Sequence, residues 1–194
     1  MEKLLIVGAG GFGRVVLEHA CEIFGCSFVD DGIEIGSEVC GAKVVGTIPD
    51  LEALFLEYKL LVVSIGNNKL REHIYRKAKA IGYSFPNIEG RNVYISPYAR
   101  VGSGCVFLNN VNIQNSSVVG NGVILNPGVE IHHDSFVDDY SLIYTNTVIR
   151  TYAKVGKRVK LGSNVTISNE MIVEDDAIID DGKTVDRSIR ACGL

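Results

Sequence analysis

The sequence predicts two fold classes in series: an α/β Rossmann-like half-domain over residues 1–86, and an all-β parallel β-helix over residues 87–194. Three observations predict this. From Ile95 onward an apolar residue returns every six positions through Val173, giving fourteen hexads in one register. The fourth position of these hexads is Gly, Asn, Asp or Ser in nine of the fourteen. Ahead of the repeats, the apolar run Lys3–Val7 leads into Gly8-Ala9-Gly10-Gly11-Phe12-Gly13 and then into an amphipathic segment.

A fixed six-residue period over so many units is the signature of a repeat fold, here a parallel β-helix. The first slot (Phe107, Ile113, Val119, Leu125, Ile131 and so on) fills the interior, and the fifth (Cys105, Val111, Ser117, Val123) takes small or aliphatic side chains near a corner. The fourth slot takes residues that tolerate φ > 0. Each hexad is therefore one short strand plus one turn, three of them close a triangular coil, and residues eighteen apart stack at about 4.8 Å. The period leaves the handedness open, and right-handed is the default for parallel crossovers. Past Ala177 the rhythm is expected to stop at Asp180-Asp181-Gly182-Lys183, leaving the tail as a capping strand or oligomer contact.

The N-terminal elements follow in order. Lys3–Val7 reads as a strand buried on both faces. The glycine loop fits G-x-G-x-x-G, and its helix carries Val16, Leu17, Ala20, Ile23 and Phe24 on one face. Ser27–Val29 is a second strand that ends at Asp30 and Asp31, about twenty residues past the glycines, as a nucleotide fingerprint requires. Glycines let the backbone approach a phosphate, which a helix N-terminus favours. Only one mononucleotide-binding half precedes the repeats, so a mononucleotide-type ligand fits better than NAD. Thr47-Ile48-Pro49-Asp50 starts a helix, and Leu60–Ile65 is another strand. Asn67, Asn68 and Arg71 after it are either nucleotide contacts or a helix cap with solvated neighbours. The next helix is expected to turn Leu70, Ile74, Ala78 and Ile81 inward and Arg71, Arg76 and Lys79 outward, with Tyr83–Phe85 as a last strand.

Composition excludes several classes. A hydrophobic fraction of 46% with 22% charged residues is that of a globular protein. The net charge of -4 argues against nucleic-acid binding, and no run of about 18 apolar residues offers a membrane span. The N-terminal apolar run is too short for a signal peptide. Five cysteines without any C-x-x-C read as reduced thiols in small core positions, which places the protein in the cytoplasm.

Within the repeats, Ile131-His132-His133-Asp134 is the one base-like constellation. Both histidines occupy outward slots. Either they are an exposed pair on a flat face, or His133 is a general base oriented by Asp134. Thr151 lies one coil above His133, where its backbone N–H could face an oxyanion. Zinc needs three or more ligands and only two adjacent histidines are present, so no metal is expected. Arg150, Lys154, Lys157, Arg158 and Lys160 form a basic group that could receive the phosphates of a coenzyme or could simply be a solvated face.

GAGGFG and FVDD, then IGNN, then hexads with a mid-length histidine–acid pair, resemble the sugar acyltransferases of bacterial glycan biosynthesis, both nucleotide-amino-sugar N-acetyltransferases and sialic acid O-acetyltransferases. The resemblance implies a left-handed β-helix, a homotrimer with sites between subunits, acetyl-CoA as donor and a nucleotide-linked sugar as acceptor. By the same resemblance His133 is the catalytic base and Asp134 its partner. Gly10, Gly11, Phe12 and Gly13 with Asp30, Asp31, Asn67 and Asn68 form the nucleotide-sugar site, and Leu142, Thr151, Lys154, Lys157 and Lys160 border acetyl-CoA. Three positions depart from the pattern: Phe12 and Leu142 stand where relatives often have histidine, and Thr151 where they often have glycine. The tail also lacks the usual closing G-x-P-A segment. N-acetylation of an amino sugar is the leading expectation, with O-acetylation and a non-catalytic sugar-binding scaffold as alternatives.

Overall fold

The computed structural model describes residues 1–189 and divides into two compact units, Met1–Ile88 and a second beginning at Glu89. In the first, β1 (Lys3–Val7) leads through the glycine loop into α1 (Gly11–Ala20), then β2 (Gly25–Val29), β3 (Glu38–Val39) and β4 (Ala42–Gly46). A 3-10 turn and α2 (Leu51–Leu54) follow, then β5 (Leu60–Val63) and α3 (Asn68–Ile81). The sheet order is β3-β4-β2-β1-β5, with β1 parallel to both β2 and β5. Leu4, Leu5, Ile6, Val7, Leu61 and Val62 are fully buried at its centre, as expected of apolar strands covered on both faces.

Four expectations need correction here. Helix α1 stops at Ala20, because the chain must reach Gly25, whose N–H bonds the Glu2 carbonyl; Ile23 is consequently 60% exposed. Strands β3 and β4 were not anticipated, since they form a short hairpin whose two-residue turn, Cys40-Gly41, takes positive φ at both positions, and no long apolar run marks it. In α3 the inward stripe is Arg71, Ile74, Tyr75 and Ala78, while Leu70 is exposed. Arg71 tolerates burial because its guanidinium donates to the Ile65 carbonyl at 2.8 Å and to Asn68 Oδ1 at 2.9 Å. Of Tyr83–Phe85 only Ser84 pairs in a sheet, bridging Leu60. Tyr83 instead buries its ring and donates its hydroxyl to the Leu51 carbonyl at 2.7 Å.

The second unit is a parallel β-helix. Each hexad supplies a two-residue strand from its sixth and first slots, such as Glu130–Ile131, and these strands pair eighteen residues apart. The first face stacks Tyr94–Ile95, Asn112–Ile113, Glu130–Ile131, Val148–Ile149, Thr166–Ile167 and Thr184–Val185. The second runs from Arg100–Val101 to Ile172–Val173, and the third through Val106–Phe107 to Ile178–Ile179. First-slot residues from Phe107 to Val173 form one buried core with the fifth-slot residues. Polar fifth slots are satisfied: Ser141 and Thr147 donate to the carbonyls of Gly156 and Gly162 at 2.8 and 2.7 Å.

Every fourth-slot residue from Gly104 to Asp176 has φ between 55° and 71°. Tyr140, Tyr152, Arg158 and Glu170 adopt this conformation without a favourable side chain, at roughly 1 kcal/mol each. The rhythm does not stop after Ala177. Gly182 takes the turn conformation at φ 69° and Ile179 and Val185 enter the core, so the acidic stretch is one more corner. Of the cysteines only Cys105 is a core residue; Cys21 and Cys40 are exposed, Cys26 is half-buried and Cys192 lies outside the described residues. The end of the tail, where a closing segment was sought, also lies outside them.

Candidate active site

His133 sits at the corner that follows the first face, so register stacks Gln114, His132 and Arg150 in one row and Asn115, His133 and Thr151 in the next. The ring is half exposed, at 51%. Its Nδ1 lies 2.8 Å from Asp134 Oδ2, and its Nε2 lies 3.3 Å from Thr151 Oγ1. With Nδ1–H donating to the Asp134 carboxylate, Nε2 is left as the acceptor. Asp134 reaches back to its own neighbour because it holds φ 59°, a conformation open to aspartate at modest cost. From the coil below, Gln114 Oε1 accepts the His133 backbone N–H at 3.2 Å. The Tyr152 ring stands edge-on to the imidazole with centroids 6.2 Å apart. His133 is thus exposed and its ring is oriented by Asp134, while His132 beside it is half-buried.

Thr151 was expected to border acetyl-CoA and to offer its backbone N–H. Among the described residues that N–H has no acceptor, and the side chain also bonds the base. Sequence reasoning missed Gln114 as a support and gave Arg150 no role at this corner. Both were readable, because each lies eighteen residues from His132.

The other proposed coenzyme contacts do not gather here. Lys154 is outward on the second face, Lys157 is at the next corner near Asp139, and Lys160 is outward on the third face beside the Tyr144 ring. Leu142 is also on the third face and is buried. The basic group is spread over two faces and two corners, with Arg150 alone at the corner of His133, because hexads rotate successive side chains around the coil.

In the first unit a cleft of about 410 Å³ opens at the carboxyl ends of β1, β2 and β5, lined by Gly10, Gly11, Phe12, Gly13, Asp30 and Asp31 among others. Strand β1 is the point from which the chain pairs to both sides, the usual ligand crevice of such sheets. Helix α1 begins there with Gly10 at its N-cap, no side-chain cap and no acid in its first turn, so its N–H groups favour an anion. Asp30 is engaged by the loop itself: its carboxylate accepts from Ala9 N and Gly32 N, each at 2.8 Å. Asp31 accepts from Ile48 N at 2.7 Å. Asn67 and Asn68 do not line the cleft. Asn67 caps α3 by accepting from Leu70 N at 3.0 Å, and Asn68 accepts from Arg71, so the helix-cap reading describes them. Among the described residues no three His, Cys, Asp or Glu side chains form a metal-binding group.

A glycine-lined anion cleft and an oriented histidine on a β-helix are parts suited to a group-transfer enzyme, and known proteins narrow that class. Residues 3–78 match the model of the PglD N-terminal domain, and residues 89–192 that of the GMPPB C-terminal domain. No curated protein sequence gives a significant match. Among solved structures, a histidine-to-asparagine variant of perosamine N-acetyltransferase from Caulobacter crescentus, in complex with CoA and GDP-perosamine, is 27% identical with a TM-score of 0.92. The match covers 97% of this chain and 90% of that one. The acetyltransferase domain of PglB from Neisseria gonorrhoeae is 28% identical with a TM-score of 0.92, covering 98% and 94%. WeeI from Acinetobacter baumannii, at 20% identity and a TM-score of 0.65 over 95% and 96%, shares the fold. The chain belongs to the hexapeptide-repeat sugar acetyltransferases of bacteria, and its β-helical part to the GMPPB C-terminal domain family. It is an acetyltransferase, and its β-helix is left-handed.

Proposed function

We propose that the protein transfers an acetyl group from acetyl-CoA to the amine of a nucleotide-linked amino sugar destined for a bacterial surface glycan, with His133 as general base. The observation that carries this reading is the His133 Nδ1–Asp134 Oδ2 contact of 2.8 Å, which leaves Nε2 as a proton acceptor on an exposed corner. The acceptor amine displaces the Thr151 hydroxyl from Nε2 and gives up its proton as it attacks the thioester carbonyl. Asp134 stabilises the imidazolium, and the Thr151 backbone N–H stabilises the tetrahedral oxyanion. The glycine-lined cleft, with the N-terminus of α1, receives the diphosphate. The relatives solved with CoA and GDP-perosamine support both substrate classes.

The working form is a homotrimer in the cytoplasm. Support comes from outward apolar residues on the β-helix, Ile172 and Ile178, which a subunit contact would cover. The deciding test is free-thiol release from acetyl-CoA against UDP-, dTDP- and GDP-linked amino sugars, with light scattering for subunit number. No turnover with any amino sugar, alongside turnover with a hydroxyl acceptor, would move the assignment to O-acetylation.

A further inference from the structure

The His133 ring is held at both nitrogens, by a carboxylate at 2.8 Å on Nδ1 and by a hydroxyl at 3.3 Å on Nε2. A hydroxyl, an imidazole and a carboxylate in that order form an activated nucleophile: the base is within reach of the hydroxyl proton, and a third group orients the base. The proposed transfer uses His133, Asp134 and the backbone N–H of Thr151, and gives the Thr151 hydroxyl no chemical part.

We propose that Thr151 is itself a nucleophile, and that without an amino sugar the enzyme hydrolyses acyl thioesters through an acetyl-threonine intermediate. Thr151 Oγ1 attacks the thioester carbonyl as His133 Nε2 takes its proton. The carbon–sulfur bond breaks, and the leaving thiolate receives that proton from the imidazolium. Water then attacks the ester, again losing a proton to Nε2. The threonine oxygen leaves and is reprotonated, releasing acetic acid. No co-reactant other than thioester and water is consumed. The surroundings suit this chemistry. The corner is open to solvent, with His133 at 51% exposure, and the N–H of Thr151, unpaired among the described residues, lies on the nucleophile's own residue, where it can receive an oxyanion. Gln114, bonded to the His133 backbone, and Ser135, bonded to the His132 carbonyl, fix the chain that presents the base.

This inference rests on the reading that acetyl-CoA docks at this corner, so the test uses two donors. The full-length protein is incubated with acetyl-CoA, and separately with p-nitrophenyl acetate, which needs no coenzyme site. After acid quench, acetylation is mapped by peptide mass, and thiol or p-nitrophenolate release is followed in parallel. Expected results are acetyl on Thr151, or release that falls at least about tenfold in Thr151→Val and His133→Asn and is retained in Thr151→Ser. A response with p-nitrophenyl acetate alone upholds the nucleophile and overturns coenzyme docking at this corner. Wild-type release by a folded Thr151→Val with both donors, with no acetyl on residue 151 in the parent protein, overturns the nucleophile whatever the coenzyme does.

Discussion

Gly13→Ala and Gly10→Ala separate what the fold needs from what a ligand needs. A Cβ on Gly13 would lie 1.9 Å from the Gly8 carbonyl oxygen and 2.8 Å from its carbon, both backbone atoms. Ordinary contact needs more than about 3 Å. Helix α1 would therefore retreat from β1 by about 1 Å, loosening the packing of Val16, Leu17 and Ala20. We expect a loss of about 3 kcal/mol, the upper end of overpacking costs, localised to the N-terminal unit. A Cβ on Gly10 meets nothing within 4 Å, and the residue already has φ -68°, so the stability of that variant should stay within about 0.5 kcal/mol of the parent. Its methyl nevertheless stands at the cleft where a diphosphate would approach. Binding of nucleotide sugar by calorimetry should weaken by about tenfold or more, while urea unfolding is unchanged. Equal affinity in parent and Gly10→Ala would refute the phosphate role of the loop, and a stable Gly13→Ala would refute the close-packing argument.

The remaining predictions concern the active corner, the coils and pH. His133→Asn should lower kcat by about 10²- to 10⁴-fold at unchanged thermal stability, and an unaltered rate rejects it as the base. Asp134→Asn keeps a side chain that accepts φ > 0, so its loss of activity, followed as thiol release, reports orientation of the base rather than backbone strain. A Cβ on Gly120 would fall 2.6 Å from both Asp139 N and Oδ1, so Gly120→Ala should cost about 2–4 kcal/mol in urea unfolding. Burial pushes the Tyr83 phenol from 10.0 up to about 12. The unfolded chain releases that proton first, so stability is complete below about pH 10 and falls as pH rises toward 12, by about 2–3 kcal/mol in all. Thermal melts of Tyr83→Phe should lose this dependence.

The β-helix was legible because its constraint is one-dimensional: a six-residue period predicts which residues enter the core, and Phe107 to Val173 do so. The period likewise made His133 and Thr151 neighbours before any coordinates. What escaped was whatever depends on how a side chain spends its hydrogen bonds. Asn67 looked like a ligand contact by position, but it caps α3 and lies outside the cleft, while Asp30 lines the cleft and also holds the backbone of the loop. Arg71 looked solvated by residue type, yet two donor contacts make its burial tolerable. The lysines looked contiguous in sequence and are rotated apart by the coil. The acidic stretch after Ile179 read as a break by composition, although its glycine merely repeats the turn.

The location of the chemistry on the prism also has a structural reason. At five corner positions, second-slot Gly90, Gly102, Gly120, Gly156 and Gly162 leave room for an Asn or Asp one coil on. Its side-chain oxygen accepts the backbone N–H that follows each glycine, as in Asn121 N to Asp139 Oδ1 at 2.7 Å and Lys157 N to Asp175 Oδ1 at 2.8 Å. All five clasps lie at the corners after the second and third faces. At the corner after the first face the second slot holds Ser96, Gln114, His132, Arg150 and Ser168, none of them the glycine that accompanies all five clasps. Asn169 is the right residue type one coil above Thr151, but with Arg150 rather than glycine below it the Thr151 N–H is left without an acceptor among the described residues. Two corners are thus tied by their own side chains, and the third keeps a base, a hydroxyl and a backbone donor available to substrate. Introducing Gly at Arg150 should let Asn169 close a sixth clasp, raising stability while lowering acetyl transfer. A gain in stability with full activity would show that the Thr151 N–H does not serve the reaction.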